Sequence, residues 1–316
     1  MDATYEAINE MSKYLATIGV TFFVATTVTS ALSKIEKAVK NAADCMEKGL
    51  EGAKLLGSYV EGPYIANEYK GAHPEEFIRE LNIHEIENII GKARNTVKII
   101  TIAPEKPQSI DIIKCLTERG IKVSLGHSNA TYEETMQAIQ NGATIAVHIY
   151  NGMRELHHRE VGLLGAVLNN DDIKAEMICD GTHVSIPAMQ IVMRCKNKED
   201  IVLITDCMMA GGLKDGDYIL GELNVKVSGG IVRTESGSLA SSNLKLIDGI
   251  KNMHTLVGVS FEDSLKMATI NAAKSIGVDS EIGTIESGKS ADIIAIDDDF
   301  NVIFTMINGK IIYDKT

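Results

Sequence analysis

Seven side chains of this sequence combine reactive chemistry with a shared position. Glu61, Glu105, His127, His148, Asp180, His183 and Asp206 stand at or just after the ends of apolar runs. A random core does not gather so many carboxylates and imidazoles at such points. One carboxylate with two imidazoles is a catalytic zinc set that leaves a position open for water. Glu61, His127 and His148, from three different runs, make such a set. Zinc lowers the pKa of its water to about 7. Asp206 could then act as general base on that water and later as general acid. Each residue alone has a plainer reading. A strand-end histidine often satisfies a backbone group, a glutamate often pairs with a base, and no compact HExxH motif is present. Spacing alone leaves both readings open. The stretch AVHIYNGMRELHHREVG, 146–162, holds two further histidines. His157 and His158 lie in a loop beyond the strand end and read as surface or loop-packing residues. Arg159 carries a group suited to phosphate, yet by itself reads as a solvated loop charge.

The elements that must position these residues are legible as an alternation. β-rich runs at 20–29, 54–62, 97–105, 121–128, 143–151, 173–181 and 200–206 are separated by amphipathic helical stretches. One of these, 131–142, places Met136 and Ile139 on one face and stops at Gly142. The runs are nearly continuous in apolar residues, as strands covered on both faces are. Such alternation means a parallel sheet. In a parallel barrel the active site lies at the C-terminal strand ends, where the polar residues fall. The chain opens on a helical pattern with Ile8, Met11, Tyr14 and Leu15 on one face, and 260–277 supplies a helix after the last run. Seven strands follow a helix with no strand before it. The favoured architecture is an α/β TIM-type (β/α)8 barrel that lacks its first strand; an open seven-stranded sheet is the alternative. Residues 1–277 would form the barrel, with a hairpin excursion around Gly229-Gly230 at 218–234. Residues 278–316 would add strands of a small, incomplete β-sandwich, with turns at Asp297–Asp299 and Asn308-Gly309.

Composition bounds the function. Lys and Arg number 31 against 43 Asp and Glu, a net charge of −12 over 316 residues. An acidic surface disfavours nucleic acid and anionic membranes. No apolar run approaches the roughly 20 residues of a membrane helix, and the N-terminus lacks the basic start and apolar core of a signal peptide. The five cysteines contain no CxxC pair. Reduced thiols in a cytoplasmic protein are the expectation.

Several segments together resemble the N-acetylglucosamine-6-phosphate deacetylases of the amidohydrolase superfamily. They are VEGPYIANEYKGAHP (60–74), ITIAPE (100–105), VSLGHSNATYEE (123–134), VHIYNGMRELHHREVG (147–162), CDGTHV (179–184), ITDCMMAGGL (204–213) and IGTIESGKSADIIAID (282–297). They occur in family order over nearly the whole chain. The resemblance implies a metal-dependent barrel with Glu61, His127 and His148 as ligands and Asp206 as catalytic acid/base. It implies substrate contacts at His73, Asn151, Gly152 and His183. It also implies that Arg159 reaches the phosphate of a neighbouring subunit, hence a homodimer. His157 and His158 gain no role. The metal would be zinc, with iron, manganese or cobalt able to use the same N/O donors. The implied reaction is hydrolysis of the 2-acetamido group to acetate and glucosamine 6-phosphate.

The sequence departs from the family at its start. Neither a first barrel strand ending in an HxH-like motif nor the N-terminal strands of the β-domain precede the opening helix. Met1 therefore reads as an internal methionine or a truncated start. The edges of the first and last strands present would be exposed, and the tail strands would lack partners. Val147 stands where the family often has Thr, and LASSNLKL (239–246) replaces a loop usually richer in Gly and Thr. Two other functions compete: an amidohydrolase acting on another N-acyl or cyclic amide, and a non-catalytic sugar-phosphate-binding protein.

Overall fold

Each of the seven apolar runs forms a strand: β1 Phe22–Thr27, β2 Lys54–Val60, β3 Val97–Ile102, β4 Lys122–Leu125, β5 Ala143–Ala146, β6 Lys174–Ile178 and β7 Ile201–Ile204. The computed structural model describes residues 2–315; Met1, with the reading attached to it, and Thr316 lie outside the described residues. The strands pair in chain order into one all-parallel sheet. Their continuous apolar character has a direct cause. Tyr59, Ile99, Ile145 and Val147 meet in one core on the concave side of the sheet. Ile100, Ile102, Val123 and Leu125 join a second, larger core against the helices. From β3 to β6 both faces are largely shut off from water, so these strands are mostly apolar.

The helices are α1 Tyr5–Thr17, α2 Leu32–Lys48, α3 Ile83–Lys92, α4 Ser109–Glu118, α5 Tyr132–Gln140, α6 Gly162–Leu168, α7 Ile186–Cys195, α8 Leu246–Asn252, α9 Phe261–Ala268 and α10 Ile270–Ile276. α5 starts where its sequence says it should. Thr131 and Glu134 form a reciprocal capping box, which satisfies donors left open at a helix start. The single helix expected over 260–277 is instead two, broken at Thr269 with φ −124° and ψ −91°. The break lets Met267 and Ala273 both face inward. It also lets the Asn271 amide donate to the carbonyls of Lys198 and Ile201, 2.8 Å each, at the start of β7.

Two further expectations change. The excursion after β7 is three strands rather than a hairpin: β8 Gly216–Leu220, β9 Leu223–Ser228 and β10 Ile231–Thr234, antiparallel throughout. A turn at Gly221-Glu222 adds β8, whose Tyr218 and Leu220 pack with Val225, Val227 and Val232. The tail strands do not lack partners. β11 Ile293–Ile296, β12 Val302–Ile307 and β13 Lys310–Asp314 pair with one another. They lean on the opening helix, where the buried Thr305 hydroxyl donates to the Ala16 carbonyl at 2.7 Å. Among the described residues β1 pairs only with β2, and β7 only with β6. The sheet is thus a curled, seven-stranded portion of a TIM-type barrel, accompanied by two small antiparallel sheets. No helix among the described residues is long and apolar enough to cross a membrane.

Candidate active site

Glu61 follows β2, His127 follows β4 and His148 follows β5, so neighbouring strand ends bring the three together. Glu61 Oε1 lies 3.1 Å from His127 Nε2 and 2.9 Å from His148 Nε2, and the two ring nitrogens are 3.0 Å apart. All three side chains are buried. The other nitrogen of each ring is committed. His127 Nδ1–H donates to the Tyr69 carbonyl at 2.8 Å and His148 Nδ1–H to the Asn151 carbonyl at 3.1 Å. Each Nε2 therefore presents its lone pair to the same point as the carboxylate. Three acceptors cannot satisfy one another; a proton or a cation must sit among them. Donors about 2.0–2.2 Å from a tetrahedral ion stand roughly 3.3 Å apart, and backbone carbonyls on the far ring nitrogens are the usual support for metal-binding histidines. The donor set fits a divalent cation.

Electrostatics agree with that fit. Burial opposes ionisation of Glu61, but the surrounding imidazoles of His127, His148 and His73 outweigh it and hold its carboxyl well below the usual range. Burial, with the nearby His73, pushes His127 down to about 4. Burial disfavours charge on His148 as well, but Glu61 reverses the balance and lifts it to about 9. A bound cation competes for that same proton site, so binding would release a proton.

Backbone geometry locks the group. His127, His148 and Asp206 all have positive φ, 46°, 30° and 48°. His and Asp tolerate this region better than most residues, at a cost of about 1–3 kcal/mol each. Gly152 is held by the same crowding. A Cβ there would lie 2.8 Å from His127 Nδ1 and 3.1 Å from the Tyr69 carbonyl oxygen.

A cavity of about 160 Å³ opens over the three ligands, lined also by His73, Asn151, Gly152, His183 and Asp206. Every site residue that the family resemblance implies, except Arg159, thus meets in one place. His73 Nδ1 accepts from the Thr29 N–H at 3.2 Å and contacts the Thr29 hydroxyl at 2.7 Å. Its proton is therefore on Nε2, which faces Glu61 Oε1 at 3.8 Å. Burial and the charge of Glu61 push Asp206 up to about 7, against the pull of His148, His183 and His73. A carboxyl near neutrality can both take and return a proton. The Asp206 main chain is held separately: its carbonyl accepts from the Ser242 N–H and the Ser241 hydroxyl, 2.8 Å each.

Arg159 stands apart. It is exposed, with His158 Nε2 2.8 Å from its guanidinium, and it does not line its own chain's cavity. His157 and His158 are exposed too, as their loop position suggests. Glu105 is at a strand end but does not line the cavity; it accepts from the Ser128 hydroxyl at 2.7 Å and the Asn129 N–H at 2.6 Å. It braces the loop that follows His127.

Glu176 escaped the reading of the sequence, although a lone carboxylate inside the apolar run KAEMI was its signal. It is buried within β6 and accepts from the Tyr59 hydroxyl across the sheet at 3.2 Å. Burial pushes its carboxyl up to about 8, with Glu61 and Asp206 adding to the rise against the opposing pull of His148 and Tyr59. An unfolded glutamate titrates near 4.3. Between these values the folded chain keeps a proton that the unfolded chain has lost, so this group's contribution to stability falls as pH rises. In Glu176→Gln that contribution is gone. Urea unfolding at pH 5 and pH 8 should show wild type losing a few kcal/mol more than the variant over that span. Parallel pH profiles would rule out a neutral Glu176.

Comparison with known proteins agrees with this geometry. The amidohydrolase family model matches residues 1–312. An N-acetylglucosamine-6-phosphate deacetylase of Vibrio furnissii is 44% identical over 314 residues, covering 99% of this chain and 78% of its own. An N-acetylgalactosamine-6-phosphate deacetylase of Escherichia coli O157:H7 is 41% identical, covering 98% of this chain and 82% of its own. The crystal structure of N-acetylglucosamine-6-phosphate deacetylase from Pasteurella multocida superposes with a TM-score of 0.93 at 33% identity, over 98% of this chain and 80% of that one. With strand-end ligands, a matching family model and these identities, the chain belongs to the amidohydrolase family, among its N-acetylglucosamine-6-phosphate deacetylases.

Proposed function

We propose that this enzyme hydrolyses the acetamido group of N-acetylglucosamine 6-phosphate, giving acetate and glucosamine 6-phosphate in amino-sugar catabolism. The observation that carries the reading is the convergence of Glu61, His127, His148 and Asp206 on one cavity in a chain 44% identical to a deacetylase over 99% of its length. A divalent ion on the three ligands supplies Lewis acidity, polarising a carbonyl and acidifying water. We take it to be zinc, with iron, manganese and cobalt compatible with the same donors. Asp206 takes the proton from the attacking water as its oxygen bonds to the acetyl carbon. Asp206 then returns that proton to the nitrogen as the C–N bond breaks, so the amine leaves neutral. His73, with its proton on Nε2, donates toward the acetyl oxygen.

Asn151, Gly152 and His183 hold the sugar phosphate in this reading. Arg159 does not line its own cavity, and in a homodimer its guanidinium would reach the phosphate bound by the other subunit. Residues 1–277 act as the catalytic barrel and 278–316 as an attached β layer. Five free cysteines suit the reducing cytoplasm, where we place the protein.

The test is acetate release from N-acetylglucosamine 6-phosphate by the purified chain supplied with zinc, beside the galactosamine epimer and the unphosphorylated sugar. Faster release from the gluco-phosphate is expected. Preference for the galacto-phosphate would move the substrate toward that of the 41% identical relative. Equal rates with and without phosphate would refute the sugar-phosphate reading.

A further inference from the structure

We infer that Asp180, which does not line the cavity, is the positioning residue that turns His183 into a hydrogen-bond acceptor for a hydroxyl of the sugar. This rests on the reading of the cavity as a sugar-phosphate site. One Asp180 oxygen accepts from the main-chain N–H of Thr182 and of His183, 2.8 Å each. The other accepts from His183 Nδ1–H at 2.6 Å. Gly181, with φ +77°, lets the chain double back so that one carboxylate reaches all three donors. The ring is nearly buried, 7% exposed, so it has little freedom to turn. The carboxylate stays ionised: burial opposes this, but the three N–H groups hold it below the usual range.

The consequence is directional. In the neutral form of the ring, a proton held on Nδ1 by Asp180 leaves a lone pair at Nε2. Nε2 is the nitrogen turned away from Asp180, and His183 lines the cavity. A lone pair recognises an O–H donor, which the sugar ring has and an acetyl carbonyl lacks. The chain thus offers donors at His73 and an acceptor at His183, a pattern that sorts the two ends of a polar substrate.

Asp180→Asn tests this with little risk to the fold. The asparagine oxygen still accepts from the two main-chain N–H groups. Its NH2 faces Nδ1, which must then become an acceptor, and the ring proton moves to Nε2. Nitrogen-15 spectra of labelled histidine should show that move, which a purely structural role for Asp180 would not produce. KM for N-acetylglucosamine 6-phosphate should rise about tenfold, the scale of one misdirected hydrogen bond, with kcat within twofold. In a His183→Ala background, which alone raises KM, adding Asp180→Asn should change nothing further. An unshifted His183 proton, an unchanged KM in Asp180→Asn, or a full additional loss in the double variant would each overturn the inference. Should His183→Ala leave KM unchanged while acetate release continues, the inference falls but the deacetylase reading stands. Absence of acetate release by wild type in the presence of zinc would instead strike that reading, while the spectra still report on Asp180.

Discussion

Asp206→Asn should keep the fold and the metal and lose turnover by between about a hundred- and ten-thousand-fold, the range of one positioned acid–base group. The side chain is outside the Glu61–His127–His148 ligand group, so metal content measured by mass spectrometry should match wild type. Asparagine suits the left-handed conformation at φ 48° as well as aspartate does. The Ser241 and Ser242 bonds to the main-chain carbonyl do not involve the side chain. What the variant lacks is a group that binds a proton near pH 7. Its loss should appear in kcat, because the proton transfers belong to the chemical step. A variant with a near-normal rate would remove Asp206 from the chemistry, and one depleted of metal would make it a ligand.

Glu61→Gln should have the second largest effect, through affinity rather than chemistry. Glu61 Oε1 is the atom both ring nitrogens share, and it supplies the only formal negative charge of the three ligands. Substitutions one layer further out, at groups that merely support ligands, typically cost 10–100-fold in metal affinity. Loss of the charged ligand itself should exceed about a hundredfold. Competition against a chromogenic chelator would measure it with zinc, iron, manganese and cobalt in turn. Wild type should also gain about 2.7 kcal/mol of stability at a metal concentration a hundred times its Kd, a gain the variant would not show at that concentration. Unchanged affinity in Glu61→Gln would mean that the cluster is not the metal site.

Both predictions concern residues legible in the sequence, and the reason is geometric. A strand covered on both faces has no use for charge until it ends, so the first polar residue after each apolar run marks the rim. That rule located Glu61, His127, His148 and Asp206. It singled out no role for Thr29, the threonine that closes the first run, whose importance is its bond to His73, 44 residues away. It also placed Glu105 among the rim residues, where the fold uses it to brace a loop. Glu176 fails the rule from the other side: a carboxylate inside a strand looks like a misfit until its Tyr59 partner, from a strand 117 residues earlier, is known. Pairings of this range have no local signature. The tail strands illustrate the same limit, since their apolar runs were visible but their mutual pairing and contact with the opening helix were not.

The three-stranded arm β8–β10 lies between β7 and α8 in the chain. Its Gly221-Glu222 turn crosses to the start of the sheet, where Glu222 accepts from the Ser30 hydroxyl at 3.0 Å and from Lys34. Gly221 packs so close to Val28 that a Cβ would lie 2.8 Å from that side chain. The sheet's first and last strands, unpaired with each other, are thus clasped over the cavity by side chains. Such a clasp opens locally at far less cost than unfolding the barrel. Val28, His73, Leu220 and Leu239 all line the cavity. A molecule seated against these residues adds its binding free energy to the clasp. Substrate bound there would therefore serve as mortar between the two ends of the sheet as well as reactant.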